Sequence, residues 1–152
     1  MRRALLLVLG SGLSFSGPWG TLTPEQRRGD LDGVRRLGEF LFEAAQLTPL
    51  RFAVNGLAML ENNVDLRAGR AAISVMGTSR RILQLKSMDG SFQLKMDADA
   101  IAEIQLDSEN AGLVRFVDAE GRKHLSLLML GDDVEARSQI LLGRWTSRVR
   151  LK

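Results

Sequence analysis

The single histidine of the chain, His124, has the side chain best suited to binding a metal ion. A neutral imidazole offers a nitrogen lone pair that can coordinate a metal ion or a haem iron. His124 follows the Glu120-Gly121 turn, on a predicted strand. A lone histidine without a ligand-spaced partner is more often a partly exposed strand residue, so a structural role is the alternative.

Two further sets of charged side chains could bind ligands. Asp97 and Asp99, at positions i and i+2, could hold a divalent cation, although aspartates at this spacing are commoner in turns. Guanidinium groups could pair with propionates or phosphates. The basic candidates are Arg67, Arg70, Arg80, Arg81, Arg122 and Lys123. Because they are scattered over strand ends, solvated rim positions are the alternative interpretation.

The composition excludes several function classes. The chain has 152 residues, of which 45% are hydrophobic and 26% charged, which is typical of one globular domain. It has no Cys, no Tyr and one His, so it lacks disulfides, thiolate nucleophiles and His-rich metal sites. GxGxxG, Walker and HExxH motifs are absent, which favours a non-enzymatic role. Its net charge is only +3 and its aromatic content 5%, so we expect no specific nucleic-acid partner.

The first residues have the pattern of a short secretory signal. Two arginines precede an apolar run at residues 4–10, and Ser14-Phe15-Ser16 supplies small residues for cleavage. The run is too short to span a membrane, and an N-terminal strand or a misplaced start codon are the alternatives. We therefore predict a flexible arm or signal peptide over 1–22 and a single α+β domain over 23–152. We expect a cytoplasmic location, or export if residues 1–16 are a signal peptide.

A helix is predicted at each end of this domain. Thr23 as N-cap, Pro24 at the first helical position and Gln26 form a capping-box pattern, with a break expected near 30–33. An amphipathic helix with apolar positions from Val34 to Ala45 follows and ends before Pro49. Asp132 or Asp133 caps a final helix that reaches Trp145, and a basic tail follows it.

Between the helices the period of the apolar residues is two, which predicts a series of strands. Asn55-Gly56 suggests a type I′ turn between strands at 50–54 and 57–61, with further strands at 64–66 and 71–75. Around an Asp89-Gly90 turn, Leu83 is expected to face Met96 and Leu85 to face Leu94. Strands at 101–106, 113–117 and 123–130 complete the series. Short turns between consecutive strands predict an antiparallel meander flanked by two helices, an α+β fold.

Two segments resemble the haem-utilisation family of hemin-degrading and haem-carrier proteins. Phe92 to Ala102 is similar to the family's F-x-L-x-x-x-x-D-x-I-A segment, and 116–122 to its F-D-A-x-G turn. The terminal helix over 131–145 and the order of helix 41–45 and strand 49–52 also agree. The similarity covers about two-thirds of the chain.

The resemblance implies one copy of a unit that the family uses doubled, with a large antiparallel sheet flanked by helices. It further implies a homodimer that binds or traffics haem or a related tetrapyrrole, with haem breakdown as an open alternative. This chain has Lys95 where the family has a histidine. The expected site is therefore a rebuilt one, with His124 as iron ligand and Arg80 or Arg81 as propionate partners. An interaction or scaffold protein that kept the fold and lost haem binding is the second hypothesis.

Overall fold

The computed structural model describes residues 6–8, 23–30, 32–56 and 58–152. The predicted arm or signal peptide at 1–22 therefore lies outside the described residues, apart from one short strand. The strands are β1 Leu6–Val8, β2 Leu50–Asn55, β3 Met59–Val64, β4 Ala71–Met76, β5 Ile82–Ser87, β6 Gln93–Asp97, β7 Glu103–Leu106, β8 Leu113–Val117, β9 Lys123–Met129 and β10 Arg148–Arg150. The helices are α1 Gly33–Leu47 and α2 Val134–Trp145.

The predicted fold class is confirmed: antiparallel strands form a meander between an N-terminal and a C-terminal helix. The strands divide between two sheets rather than one. The large sheet has the order β10-β7-β8-β9-β2-β3, and the small sheet the order β1-β4-β5-β6. All neighbours are antiparallel except β1, which is parallel to β4. The division lies between β3 and β4, because β4 pairs with β1 and β5 instead of with β3, which leaves β3 as an edge strand.

The β5–β6 hairpin has the predicted register. Leu83 lies opposite Met96 and Leu85 opposite Leu94. The connection is longer than the predicted two-residue turn, because Ser87 and Phe92 close a loop of residues 88–91. Asp89 stabilises this loop by accepting hydrogen bonds from the hydroxyls of Ser87 and Ser91, each 2.7 Å long.

The β2–β3 hairpin differs from the prediction. Asn55 pairs with Met59, so the register of the two strands leaves no place for a two-residue Asn-Gly turn. The paired strand β3 runs from Met59 through Asn62 and Asn63 to Val64, while the predicted first residue at 57 lies outside the described residues. Residues 64–66 form no separate strand. An edge strand tolerates such polar residues because one side is solvated, and Arg51 Nε donates to Asn63 Oδ1 at 2.8 Å.

The predicted capping box is present before the first long helix. Thr23 N–H donates to Gln26 Oε1 at 2.9 Å, and Gln26 N–H donates to Thr23 Oγ1 at 3.2 Å. A π-helical turn, Gln26–Asp30, follows, and Gly29 within it has a non-helical backbone at φ 146°, next to the predicted break. Beyond it, α1 is more deeply buried than an amphipathic surface helix. Its polar residues Arg36, Glu39 and Glu43 are all buried.

Aromatic contacts join the two sheets and both helices into one hydrophobic core. The ring of Phe40 in α1 lies 6.1 Å from Phe116 of β8 and 5.5 Å from Trp145 of α2. Phe52 of the large sheet stacks on Phe92 of the small-sheet hairpin at 5.5 Å. The two sheets therefore share apolar packing, and the β6 edge is held close to β2 and β9.

The C-terminal segment contains one element that the sequence pattern did not predict. α2 begins after Asp133, as expected, but the Asp133 carboxylate accepts from Arg137 Nε at 2.8 Å instead of capping the helix. The basic tail then forms β10, which pairs with β7 and extends the large sheet. Among the described residues, no helix combines the length and hydropathy needed to cross a membrane.

Candidate ligand-binding cleft at His124

His124 is the extra residue of a β-bulge in the β8–β9 hairpin. Val117 lies opposite Lys123, whereas Phe116 lies opposite Leu125, so His124 has no partner of its own. Consecutive side chains of a regular strand point to opposite faces. A bulge breaks that alternation. His124 and Leu125 consequently line the same cleft.

A buried carboxylate orients the His124 ring. Its Nε2 lies 2.8 Å from Oδ2 of Asp118, which is only 8% exposed. The hydrogen bond with His124, together with backbone and side-chain bonds from Arg122, holds the pKa of Asp118 well below its usual range. An ionised carboxylate only accepts hydrogen bonds, so Nε2 donates in this contact, and an imidazole with its single proton on Nε2 keeps a lone pair on Nδ1.

This ring lines a cleft of about 290 Å³ between the large sheet and the β6 edge, which we call the His124 cleft.

 
The full lining comprises Val54, Leu94, Lys95, Met96, Asp97, Ala100, Ile101, His124 and Leu125. The cleft therefore combines an imidazole, a thioether and an amine with mainly aliphatic walls.

An apolar row extends this cleft across the large sheet. Val54 of β2 lies opposite Leu125 of β9 on one side and Leu60 of β3 on the other. Side chains directly opposite each other on neighbouring strands share a face. Val54 is 41% exposed and Leu60 is 70% exposed. The surface beside His124 is thus apolar and accessible, which suits a flat hydrophobic ligand.

The two predicted propionate partners occupy different surroundings. Arg80 Nε donates to Asp97 of the cleft at 2.7 Å, and its side chain is 75% exposed. Arg81 donates to Asp99 at 2.7 Å and to Asp32 at 2.9 Å. Its side chain is only 22% exposed. Arg80 can thus reach a ligand beside the cleft, whereas the donors of Arg81 are engaged in joining the β6–β7 connection to the start of α1.

Asp97 and Asp99, the two carboxylates predicted to hold a cation, form ion pairs with Arg80 and Arg81. Asp97 ends β6, and Asp99 lies in the 3-10 turn of residues 98–100 that follows it. The hydrogen bond from Arg81 lowers the pKa of Asp99. In the part of the chain that the structure describes, no three His, Asp or Glu side chains are grouped to hold a metal ion.

Of the other basic candidates, Arg67 and Arg70 lie away from the His124 cleft, whereas Arg122 and Lys123 lie at the turn and the bulge next to His124. Arg67 and Arg70 both pair with Asp65, and the hydrogen bond from Arg67 lowers the pKa of Asp65 to about 2. Arg122 pairs with Asp118 at 3.0 Å, so it supports the carboxylate that orients His124. Lys123 is exposed at the bulge.

A buried ionic cluster around Glu43 was not foreseen from the sequence. Glu43 of α1 lies 2.6 Å from Arg144 Nε and 3.5 Å from Arg27. It also accepts from Trp145 Nε1 at 3.2 Å. Arg27 lies over the ring of Trp145, 5.6 Å from its centroid. The cluster joins the π-helical turn that contains Arg27 to α1 and α2. The only signal for it in the sequence is an acidic residue on a largely apolar helix.

No protein-family model matches this chain, and no curated protein matches it.

Proposed function

We propose that this chain is a non-enzymatic, haem-carrier-like protein that binds haem or a related tetrapyrrole at the His124 cleft. The observation that carries this proposal is the His124 ring, which lines an apolar cleft while Asp118 holds its Nε2 at 2.8 Å. Metal-ligating histidines commonly donate their other ring N–H to a carboxylate, which increases the basicity of the ligating nitrogen. The resemblance in 92–102 and 116–122 supports the same ligand class.

The side chains of the cleft fit the chemistry of haem. His124 would ligate the iron, and the thioether of Met96 lines the same cleft. Lys95 and Arg80 could pair with the propionates, because both are exposed cations at this edge. The bound group would supply a redox-active iron, and the protein residues would supply its binding and orientation.

The volume of the His124 cleft favours a site in which the ligand is only partly enclosed. A volume of about 290 Å³ is near the lower limit for ligand pockets, so a tetrapyrrole would also cover the apolar row of Val54 and Leu60. Burying that exposed apolar surface favours binding. His124 itself is 54% exposed, which suits a protein that transfers its ligand.

A hemin titration followed by the Soret band tests the proposal. We expect a saturable Soret shift in the wild type and its loss in His124→Ala. Lys123→Ala is the matched control, since it truncates an exposed neighbour at the same bulge. Circular dichroism checks that each variant is folded. A wild type without a Soret shift contradicts the proposal, and an unchanged shift in His124→Ala contradicts the assigned ligand.

The second candidate is an interaction or scaffold protein that retains the fold without haem. Met59 and Leu60 are 66% and 70% exposed on the edge strand β3. An exposed edge with apolar side chains can pair with a second copy of the chain, in keeping with the expected homodimer. Light scattering that gives a dimer in the wild type and a monomer in Leu60→Lys, without a Soret shift for hemin, would favour this candidate.

A further inference from the structure

Five arginines line a second cleft, of about 260 Å³. We call it the arginine cleft. Its lining residues are Arg27, Arg28, Arg36, Trp145, Thr146, Arg148, Val149 and Arg150. None of them carries a carboxylate, and none lines the His124 cleft. The arginines come from the two ends of the domain, so the fold assembles a charge cluster that neither segment has alone.

Two of these arginines, Arg36 and Arg27, are buried in the protein rather than exposed to solvent. Arg36 is 5% exposed, and its Nη1 donates to the carbonyl oxygen of Arg150 at 2.7 Å. Its burial lowers its pKa. Arg27 is 8% exposed, and its Nε has no hydrogen-bond partner among the described residues. A buried donor without a partner has lost its hydration without compensation, and an acceptor bound in the cleft would restore a hydrogen bond to it.

The neighbouring negative charges do not neutralise the cleft. Glu43 is shared between Arg27 and Arg144, and Glu103 lies 3.8 Å from Arg150. The charge of Asp32 also acts on Arg36, but Asp32 is paired with Arg81. Arg28 and Arg148 have no ion pair within the described residues. The carboxyl end of α2 adds a partial negative charge of about half an elementary charge, which is small beside the positive charges of five guanidinium groups. An excess of positive charge therefore remains.

We propose that the arginine cleft binds a small anion that carries phosphate groups. Guanidinium groups match phosphate oxygens with paired hydrogen bonds, and a cluster of them favours a multiply charged ligand. The backbone of Thr146, at φ 70°, is held in the left-handed region beside the cleft. Such strained residues are concentrated at ligand sites. Because Trp145 is only 2% exposed, it offers no surface on which a base could stack, so the phosphate is the group recognised.

Calorimetric titration of the full chain with inorganic pyrophosphate tests this site. We expect saturable binding that weakens at least tenfold in the double variant Arg28→Gln/Arg148→Gln. Both side chains are exposed, so the substitutions leave the core intact. Arg67→Gln/Arg137→Gln is the matched control, because it removes the same charge from exposed arginines outside the cleft. The control should change affinity less than twofold.

Three results would overturn the proposal: no pyrophosphate binding in the wild type, equal weakening in both double variants, or tight binding only to nucleic acid. Vesicles that contain a phosphoinositide, compared with vesicles of phosphatidylcholine alone, distinguish a lipid headgroup from a free phosphate as the source. Binding of pyrophosphate or of phosphoinositide vesicles that depends on Arg28 and Arg148 supports the proposed phosphate site. Hemin is absent from these titrations, so this result is independent of the His124 cleft.

Discussion

Asp118 Oδ2 lies 2.8 Å from Nε2 of His124, six residues further along the chain and across the turn between β8 and β9. Asp118 is almost fully buried, whereas His124 is half exposed. The carboxylate also accepts backbone N–H bonds from Glu120 and Arg122. It therefore both closes the turn and fixes the orientation of the imidazole beside the cleft.

The first prediction concerns hemin affinity in Asp118→Asn. This substitution keeps the size of the side chain and removes the charge that holds Nε2 of His124. Loss of such a carboxylate partner typically lowers metal affinity 10- to 100-fold, so we expect a weakening of roughly that size in a Soret titration. Asp107→Asn is the control, because Asp107 closes another turn by accepting from Glu109 and Asn110. Equal affinity in the wild type and Asp118→Asn would contradict the orienting role.

The second prediction concerns the pH dependence of stability. The pKa of Asp118 is lower in the folded chain than its unfolded value of about 3.9. The ionised carboxylate therefore stabilises the fold above about pH 4, and this contribution is lost as the pH falls through the folded-state pKa. Asp118→Asn should lower Tm at pH 7, and the difference from the wild type should shrink below pH 3. Thermal unfolding at a series of pH values measures it, and a difference that is constant with pH contradicts it.

The sequence predicts those parts of the fold that depend on local pattern. The register between Leu83 and Met96 follows from alternation on both sides of one turn, so it was predictable. The capping box of Thr23 and Gln26 was predictable for the same reason, since both partners lie within one helical turn. The presence of His124 as a candidate ligand was evident from its chemistry alone.

The remaining features depend on contacts between distant segments. The bulge that directs His124 into the cleft exists only because β8 and β9 pair with a shifted register. The hydrogen bond between Trp145 and Glu43 joins residues 102 positions apart. The arginine cleft likewise needs β10, whose three residues alternate between basic and apolar but are too few to predict a strand. Local periodicity carries no information about such pairings.

The third prediction concerns the contact between the two sheets. Phe92 is 6% exposed and stacks on Phe52 at 5.5 Å. Phe92→Ala should reduce the free energy of unfolding by about 3–5 kcal/mol, because it removes apolar burial and leaves a cavity. Met88→Ala, in the same loop but 63% exposed, should change it by less than about 0.5 kcal/mol. Urea unfolding followed by circular dichroism measures both, and similar values for the two variants would contradict the role of the stack.

The fourth prediction concerns the buried acid on α1. Glu43→Gln keeps the acceptor for Trp145 Nε1 but leaves the buried guanidinium of Arg27 without a negative partner. Breaking a buried ion pair on one side typically costs about 3–5 kcal/mol, so we expect a loss of stability in that range. Glu103→Gln is the matched control: its partner Arg150 lies 3.8 Å away and is 79% exposed, so the loss should stay below about 1 kcal/mol. Urea unfolding distinguishes the two. If Glu43→Gln is as stable as the wild type, Arg27 is solvated in solution and Glu43 does not hold the helices together.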